Sequence, residues 1–171
     1  TVPLVLSTIA AGLIAVGLML VFAYMPILWN GRFYDILGAL GSVATRTVDA
    51  RSRFLGGIVY VLIGLVFAFL YGVVVLGLLH TNLPRPRLIL FSTSAVTVDL
   101  FFPLIGLAIG LAHGVLVAFW LVIVVIEHHP LEQFRKQYIL ILSQAITHAV
   151  FGVTVMFFHS QFLQLLTQRS L

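Results

Sequence analysis

The third of four long apolar stretches, Asp99 to Ile126, carries small residues at every fourth position and a histidine among them. The small residues are Gly106, Gly110, Gly114 and Ala118. Side chains this small allow another helix to approach closely. An apolar segment of this length predicts a helix that crosses a bilayer, and an ionisable side chain at mid-membrane, here His113, indicates a functional site.

The composition is that of a membrane protein. Hydrophobic residues make up 61% of the 171 residues and charged residues 8%, and the mean hydropathy is +1.18. Because a soluble domain carries about 25% charged residues, this chain cannot cover a water-facing surface. The nine Lys and Arg against five Asp and Glu indicate loop charges beside a membrane, and no nucleic-acid partner is expected. Cysteine is absent, which excludes disulfides, Cys-ligated zinc, iron–sulfur clusters and thiol nucleophiles.

Four apolar segments are long enough to cross a hydrocarbon core about 30 Å thick. They cover approximately residues 5–29, 57–79, 99–126 and 138–163. Only helices and closed barrels span lipid, and continuous apolar runs exclude the alternating pattern of a barrel. We therefore predict an all-α fold in which residues 1–171 form one bundle of four transmembrane helices. The first segment lacks a basic N-terminal region, so we expect a retained helix and not a cleaved signal.

The connections predict an orientation and one further helix. Loops one and three hold six Lys and Arg against three on the other side, which places these loops in the cytoplasm and both termini outside. Loop two, Asn82 to Arg87, contains two prolines and predicts an extended, stiff connection. Loop one, Asn30 to Arg53, predicts either a short interfacial helix or an irregular loop with scattered apolar residues, since apolar residues at helical spacing occur at Phe33, Ile36, Leu37 and Leu40.

Polar residues on the third and fourth segments predict a partly polar interior. At about 100° per residue, His113 lies at the edge of the glycine-bearing face. On the fourth helix a polar stripe is formed by Gln144, His148 and His159, with Gly152 beside it. A short connection makes these two helices antiparallel partners, so His113 and His148 are expected at similar depth. Such a pair can hold a haem iron, and a single histidine can ligate the magnesium of a chlorin. Imidazoles satisfied by protein hydrogen bonds, and proton or ion handling, are the alternatives.

One dense cluster of metal-ligand residue types follows the third segment. Zinc or another divalent ion accepts the side chains of Glu127, His128, His129 and Glu132. Adjacent histidines on a helix point about 100° apart, however, and a helix end that leaves a membrane is polar in any case. A metal site and a hydrated helix end therefore both stay open.

Several short features follow the same order as in a known group of proteins. They are Met25-Pro26 at the end of the first helix, Leu37-Gly38, a Gly-rich second helix from Gly64 to Gly72, and His148-Ala-Val-Phe151-Gly152. In these features the chain resembles a group of small bacterial four-helix membrane proteins of unknown function. His113 and the loop Glu127 to Pro130 do not match that group. The resemblance implies a four-helix fold in the inner (cytoplasmic) membrane of a bacterium, and almost nothing about activity.

Motifs of catalysis are missing from the sequence. It has no G-x-S-x-G, no glycine-rich phosphate loop and no H-E-x-x-H, so we expect no enzyme. The leading prediction is a non-catalytic accessory subunit of a larger membrane complex, by analogy an energy-converting respiratory or photosynthetic one, in contact with lipid and with other transmembrane subunits. Its packing faces would be built on Gly64, Gly72, Gly106, Gly110, Gly114 and Gly152. The alternatives are a haem- or (bacterio)chlorophyll-binding subunit that uses His113 and His148, and a small transporter or channel that uses the polar stripe.

Overall fold

The computed structural model describes residues 2–29, 31, 33–81, 86, 88–92, 97–121, 123, 127–135 and 139–168. Within these residues the chain is mostly helical. The α-helices are α1 (Val2–Tyr24), α2 (Ile36–Thr45), α3 (Ala50–His80), α4 (Phe101–Leu121) and α5 (Ile139–Gln168). By length and composition four of them could cross a membrane, over Val2–Leu28, Ala50–His80, Phe101–Leu121 and Leu142–Leu166. These four correspond to the four predicted segments.

The predicted helix in loop one is present as α2. Its N-cap is Asp35, whose carboxylate accepts the backbone N–H of Gly38 at 2.9 Å. Such a cap satisfies a donor that would otherwise lack an intrahelical partner. The helix ends at Arg46, which adopts the left-handed conformation with φ 60°. The helix is therefore confirmed, whereas its placement in a membrane interface stays a prediction.

The second long helix begins at Ala50, and the predicted start at residue 57 was wrong. A capping box sets the true start: the Asp49 carboxylate accepts the Ser52 N–H at 2.8 Å, and the Ser52 hydroxyl oxygen accepts the Asp49 N–H at 3.0 Å. The first turn is polar because it carries Arg51 and Arg53. Apolar length alone does not indicate this turn, because the turn is stabilised by polar caps.

A β-hairpin, which the sequence analysis did not predict, precedes α4. Strands β1 (Ile89–Ser92) and β2 (Thr97–Asp99) pair in antiparallel fashion. The predicted stiff connection falls largely outside the described residues, at 82–85 and 87. Asp99 ends β2 and does not open the helix: its carboxylate accepts the Phe101 N–H at 2.9 Å, and α4 starts there. At the other end α4 stops at Leu121, and residues 122 and 124–126 lie outside the described residues.

The helices pack as a chain of neighbours. α5 lies along both α4 and α1, α1 packs against α3, and α2 packs across the start of α3. Between α3 and α4 there is little direct contact, which leaves a gap on that side of the bundle. The core where α1, α3 and α5 meet includes Ala11, Ala15, Val16, Ala68, Val75, Phe151, Val155 and Met156.

The six glycines named as packing positions all face other helices of this chain. Side chains added at Gly64 and Gly72 would meet α1, at Val16 and Thr8 respectively. On α4 the glycine stripe, Gly106, Gly110 and Gly114, lies against α5 at the backbone of Gly152, His148 and Gln144. The stripe therefore does not form a free face for a second protein, because α5 already occupies it.

Candidate functional site

The gap between α3 and α4 contains a cavity of about 480 Å³. This volume lies within the usual range of small-molecule sites. Apolar and aromatic residues form most of its wall: Ile36, Leu40, Tyr60, Ile63, Phe67, Leu116, Val117, Trp120 and Leu121. The polar residues of the wall are His113, Gln144 and His148. Ile63, Leu116 and Trp120 are 47%, 70% and 56% exposed, so the cavity opens on the outer surface of the bundle.

The structure brings His113 and His148 into contact. Their ring centroids are 4.7 Å apart and their planes make an angle of 83°. The other side of the His113 ring packs on Phe67, with centroids 4.0 Å apart. His113 Nδ1 lies 3.4 Å from the hydroxyl oxygen of Tyr71. The two imidazoles, with Gln144, thus form the polar part of a wall that is otherwise apolar and aromatic.

A hydrogen bond to a carbonyl assigns the proton of the His148 ring, but not that of His113. His148 Nδ1 lies 2.8 Å from the carbonyl oxygen of Gln144, so Nδ1 carries the proton and Nε2 is the acceptor of a neutral ring. The Tyr71 hydroxyl can either donate to His113 Nδ1 or accept from it, so both tautomers of His113 satisfy this contact. His113 Nε2 is buried and has no hydrogen-bond partner within the part of the chain that the structure describes.

The histidine pair does not fit opposite sides of one haem. With imidazole nitrogens about 2 Å from a metal, two axial rings have centres about 6 Å apart, and the macrocycle must lie between them. The rings of His113 and His148 are closer than that and contact each other directly. The two histidines lie at similar depth, as the sequence predicted, but their rings are too close for a porphyrin to lie between them.

The predicted polar stripe of α5 is divided into two clusters. Gln144 and His148 belong to the cavity wall, and His159 lies on the same helix three turns further on. The interval contains the buried apolar side chains of Phe151 and Val155. The stripe is therefore not a continuous polar path.

His159 belongs to a separate cluster with α1. It is 1% exposed, and its Nδ1 lies 3.1 Å from Ser7 Oγ and 3.4 Å from Thr8 Oγ1. Both hydroxyls donate to the carbonyl of Leu4, so the imidazole N–H is the donor to them. This histidine links α5 to α1 through Nδ1, with partners that the sequence did not indicate, while its Nε2 is buried and has no hydrogen-bond partner among the described residues.

The predicted metal residues do not come together. Among the described residues no group of three or more His, Cys, Asp or Glu could hold a metal ion. His129 is buried: its Nδ1 accepts the Leu131 N–H at 3.0 Å, and its Nε2 donates to the Ala39 carbonyl at 3.0 Å. His128 is exposed and bonds its own loop at the carbonyl of Ile123. Glu127 and Glu132 are exposed. His129 therefore joins the loop after α4 to α2.

An ionic cluster fixes α2 beside the cavity. The Asp35 carboxylate accepts the Tyr24 hydroxyl at 2.8 Å and pairs with Arg53 Nε at 2.9 Å, in addition to capping α2. Burial alone would raise the pKa of the Asp35 carboxyl. The hydrogen bonds outweigh that effect and hold its pKa below the usual value. α2 contributes Ile36 and Leu40 to the cavity wall, so the cluster holds one end of the site in place.

The comparisons with known proteins add no relative. No family model, no curated protein and no solved structure matches the chain. The resemblance to small bacterial membrane proteins therefore remains an expectation.

The aromatic part of the site could not be predicted from the sequence. Phe67, Tyr71 and Trp120 line or support the histidine pair, yet among the chain's many aromatics none of them is distinguished by spacing. The available signal was Tyr71, a hydroxyl in the middle of an apolar helix that needs a partner.

Proposed function

We propose that the protein is an integral membrane protein in which four helices, α1, α3, α4 and α5, span the bilayer as one bundle. Their length and composition support this arrangement. So do large apolar side chains on the outside of the bundle, since water would oppose their exposure: Leu62, Val66, Leu116 and Phe119 are examples. The distribution of Lys and Arg supports cytoplasmic loops one and three, and the resemblance supports a bacterial inner membrane.

Within that bundle we propose a non-catalytic binding function for the α3–α4 cavity. Its ligand is a lipid-soluble molecule with an uncharged polar group. The observation that carries this proposal is the cavity of about 480 Å³, which is open on the bundle surface and whose apolar and aromatic wall includes His113, Gln144 and His148. A few polar side chains on an otherwise apolar wall are typical of small-molecule sites, where they orient the ligand.

The expected role as an accessory subunit is compatible with this function and stays a prediction. Its original support, a glycine stripe free for other subunits, is lost because α5 covers the stripe. The transporter alternative loses support for a similar reason, since Phe151 and Val155 interrupt the polar stripe. The α3–α4 cavity is therefore the feature on which the proposed function is based.

The test is to fill the cavity with a larger side chain and to measure whether the purified protein still carries a bound molecule. We expect protein purified in mild detergent to carry a lipid-soluble molecule that organic extraction and mass spectrometry detect. Ile63→Trp places a large side chain in the cavity and should remove that molecule. Ile58→Trp is the matched control, because Ile58 is on the same helix, 43% exposed and outside the cavity wall. Equal retention by wild type and Ile63→Trp would contradict the proposal.

A further inference from the structure

Two polar residues of the cavity wall lie side by side on α5. Gln144 and His148 are four residues apart, so they are neighbours on the helix surface, with Cβ atoms about 5–6 Å apart. They are 3% and 7% exposed, and both line the cavity. In the four-span arrangement proposed above, they lie about 3 and 9 Å along the helix from the start of the fourth span at Leu142. A ligand that contacts both residues therefore has its polar group near this end of the bundle.

Both side chains offer hydrogen-bonding atoms to a ligand. His148 Nδ1 donates to the backbone carbonyl of Gln144, which leaves the lone pair of the neutral ring on Nε2. The Gln144 amide group is both a donor and an acceptor. Among the described residues, the enclosed side-chain nitrogens and oxygens that lack a partner belong to Tyr34, His113 and His159. His148 Nε2 and the Gln144 amide are not enclosed in this way, and no described residue hydrogen-bonds them, so they are open to the cavity.

The cavity offers no partner to a charged group. None of its described wall residues is Asp, Glu, Lys or Arg. The residues that α2 adds to the wall, Ile36 and Leu40, are apolar as well. A charged head group would lose its hydration there without gaining a counter-ion. The polar group of the ligand is therefore neutral.

A hydroxyl group satisfies both polar side chains at once, because it donates one hydrogen bond and accepts others. A carbonyl or ether oxygen only accepts, and would leave the lone pair of His148 Nε2 without a partner, which is costly where water is excluded. We propose that the cavity binds a neutral lipid through a hydroxyl group that donates to His148 Nε2 and accepts from the Gln144 amide. The mouth at Ile63, Leu116 and Trp120 leaves the apolar tail in contact with the bilayer. This inference rests on the binding function proposed above.

The molecule that the protein retains tests the hydroxyl group directly. Protein purified in a detergent without hydroxyl groups is extracted with organic solvent, and the extract is treated with acetic anhydride. An uncharged molecule that gains an acetyl group carries a hydroxyl, and its fragments in mass spectrometry distinguish a glycerol lipid from an isoprenoid alcohol or a sterol. We expect an acetylated molecule from the wild type and from the control Ile58→Trp, and none from Ile63→Trp.

The fluorescence of Trp120 measures binding. The chain has two tryptophans, so Trp29→Phe leaves Trp120 as the only one, at the mouth of the cavity. The detergent-purified variant is titrated with dodecanol brominated near its hydroxyl end, because bromine quenches tryptophan on contact. The methyl ether of the same alcohol is the matched ligand, since it can accept from Gln144 but cannot donate to His148. We expect saturable quenching, with a dissociation constant for the alcohol about tenfold below that for the ether.

Variants in the Trp29→Phe background test the two polar contacts. His148→Phe keeps a flat ring against His113 but removes the acceptor, so it should bind the alcohol and the ether with equal affinity. Gln144→Met keeps the length of the side chain but removes the amide, and should weaken both ligands about tenfold. His80→Phe is the matched control and should keep the preference for the alcohol, because His80 is exposed at the end of α3. A loss of packing alone would weaken both ligands without removing that preference.

Three results would overturn the hydroxyl assignment. They are a retained molecule that acetic anhydride does not modify, equal affinity of the Trp29→Phe protein for the alcohol and the ether, and a preference for the alcohol that survives in His148→Phe. If Ile63→Trp still loses the retained molecule in any of these cases, the binding function stands and only the assigned polar group is wrong. If the wild type retains no molecule and quenching rises without saturation, the cavity has no lipid ligand and both proposals fail.

Discussion

The backbone carbonyl of Gly152 lies where a side chain on Gly106 would begin, and the carbonyl of Gly106 blocks Gly152 in the same way. α4 and α5 thus meet backbone to backbone at this level. The same contact continues at Gly110 against the carbonyl of His148 and at Gly114 against Gln144. Because the contact determines how near the two helices lie, it also sets the spacing between His113 and His148.

A larger residue in this contact should separate the helices. Gly110→Leu is expected to lower the free energy of unfolding by at least about 1–3 kcal/mol, since the backbone of α5 cannot yield as a flexible side chain can. Thermal unfolding in detergent, followed by circular dichroism, measures the loss. Gly77→Leu is the control, because nothing lies within 4 Å of a side chain begun there. An unchanged midpoint for Gly110→Leu would mean that the helices do not pack this way.

Apolar length predicted the long helices, small-residue spacing predicted the close approach of a helix to α4, and the adjacency of the two segments in sequence predicted α5 as its antiparallel partner. These features depend on patterns within one segment or two adjacent ones. The proximity of His113 and His148 was expected because both lie near the middle of their segments, which antiparallel neighbours bring to similar depth. The start of α3 at Ala50 did not follow, because polar capping at Asp49 and Ser52 extends the helix beyond its apolar run.

The remaining features depend on contacts between distant segments. His159 bonds Ser7 and Thr8 across about 150 residues of sequence, and no local spacing indicates that meeting. The cavity is also hidden from the sequence, because it exists where α3 and α4 fail to touch. A periodic pattern shows which face of a helix is apolar, but it does not show whether that face is filled.

Acid should loosen α2 through Asp35. Its pKa in the folded protein lies below the unfolded value of about 3.9, so its contribution to stability is present above that value and is lost as the pH falls through the folded pKa. We expect the unfolding midpoint of the wild type to drop between about pH 5 and pH 2. Asp35→Asn should start from a lower midpoint at pH 7 and change less over this window.

Asp49 provides the comparison for that experiment. It is exposed, and the hydrogen bond from the Ser52 N–H holds its pKa below the usual value as well. Asp49→Asn therefore removes a second acid-sensitive helix cap. The double variant with Asp35→Asn should show the weakest dependence of the unfolding midpoint on pH. A wild-type slope that survives intact in the double variant would show that other groups cause the acid sensitivity.

Replacement of His129 should lower the free energy of unfolding, and added zinc should not change that loss. His129→Ala leaves the Ala39 carbonyl and the Leu131 N–H unpaired in a buried place, and should cost about 1–3 kcal/mol. His128→Ala is the matched control, because His128 is exposed. Unfolding is measured with and without added zinc. Stabilisation of the wild type by zinc that either variant abolishes would instead support the metal site that the sequence left open.

The absorption spectrum separates the binding function from a pigment protein. Because the rings of His113 and His148 contact each other, we expect no reducible haem spectrum when the detergent-purified protein is treated with dithionite. A single imidazole can still ligate the magnesium of a chlorin, and His148 Nε2 bears the lone pair for it. Chlorin bands that disappear in His148→Ala but persist in His128→Ala would show that the cavity binds a pigment and not the uncharged molecule proposed above. A colourless protein that carries a molecule sensitive to Ile63→Trp is the outcome that the proposed function requires.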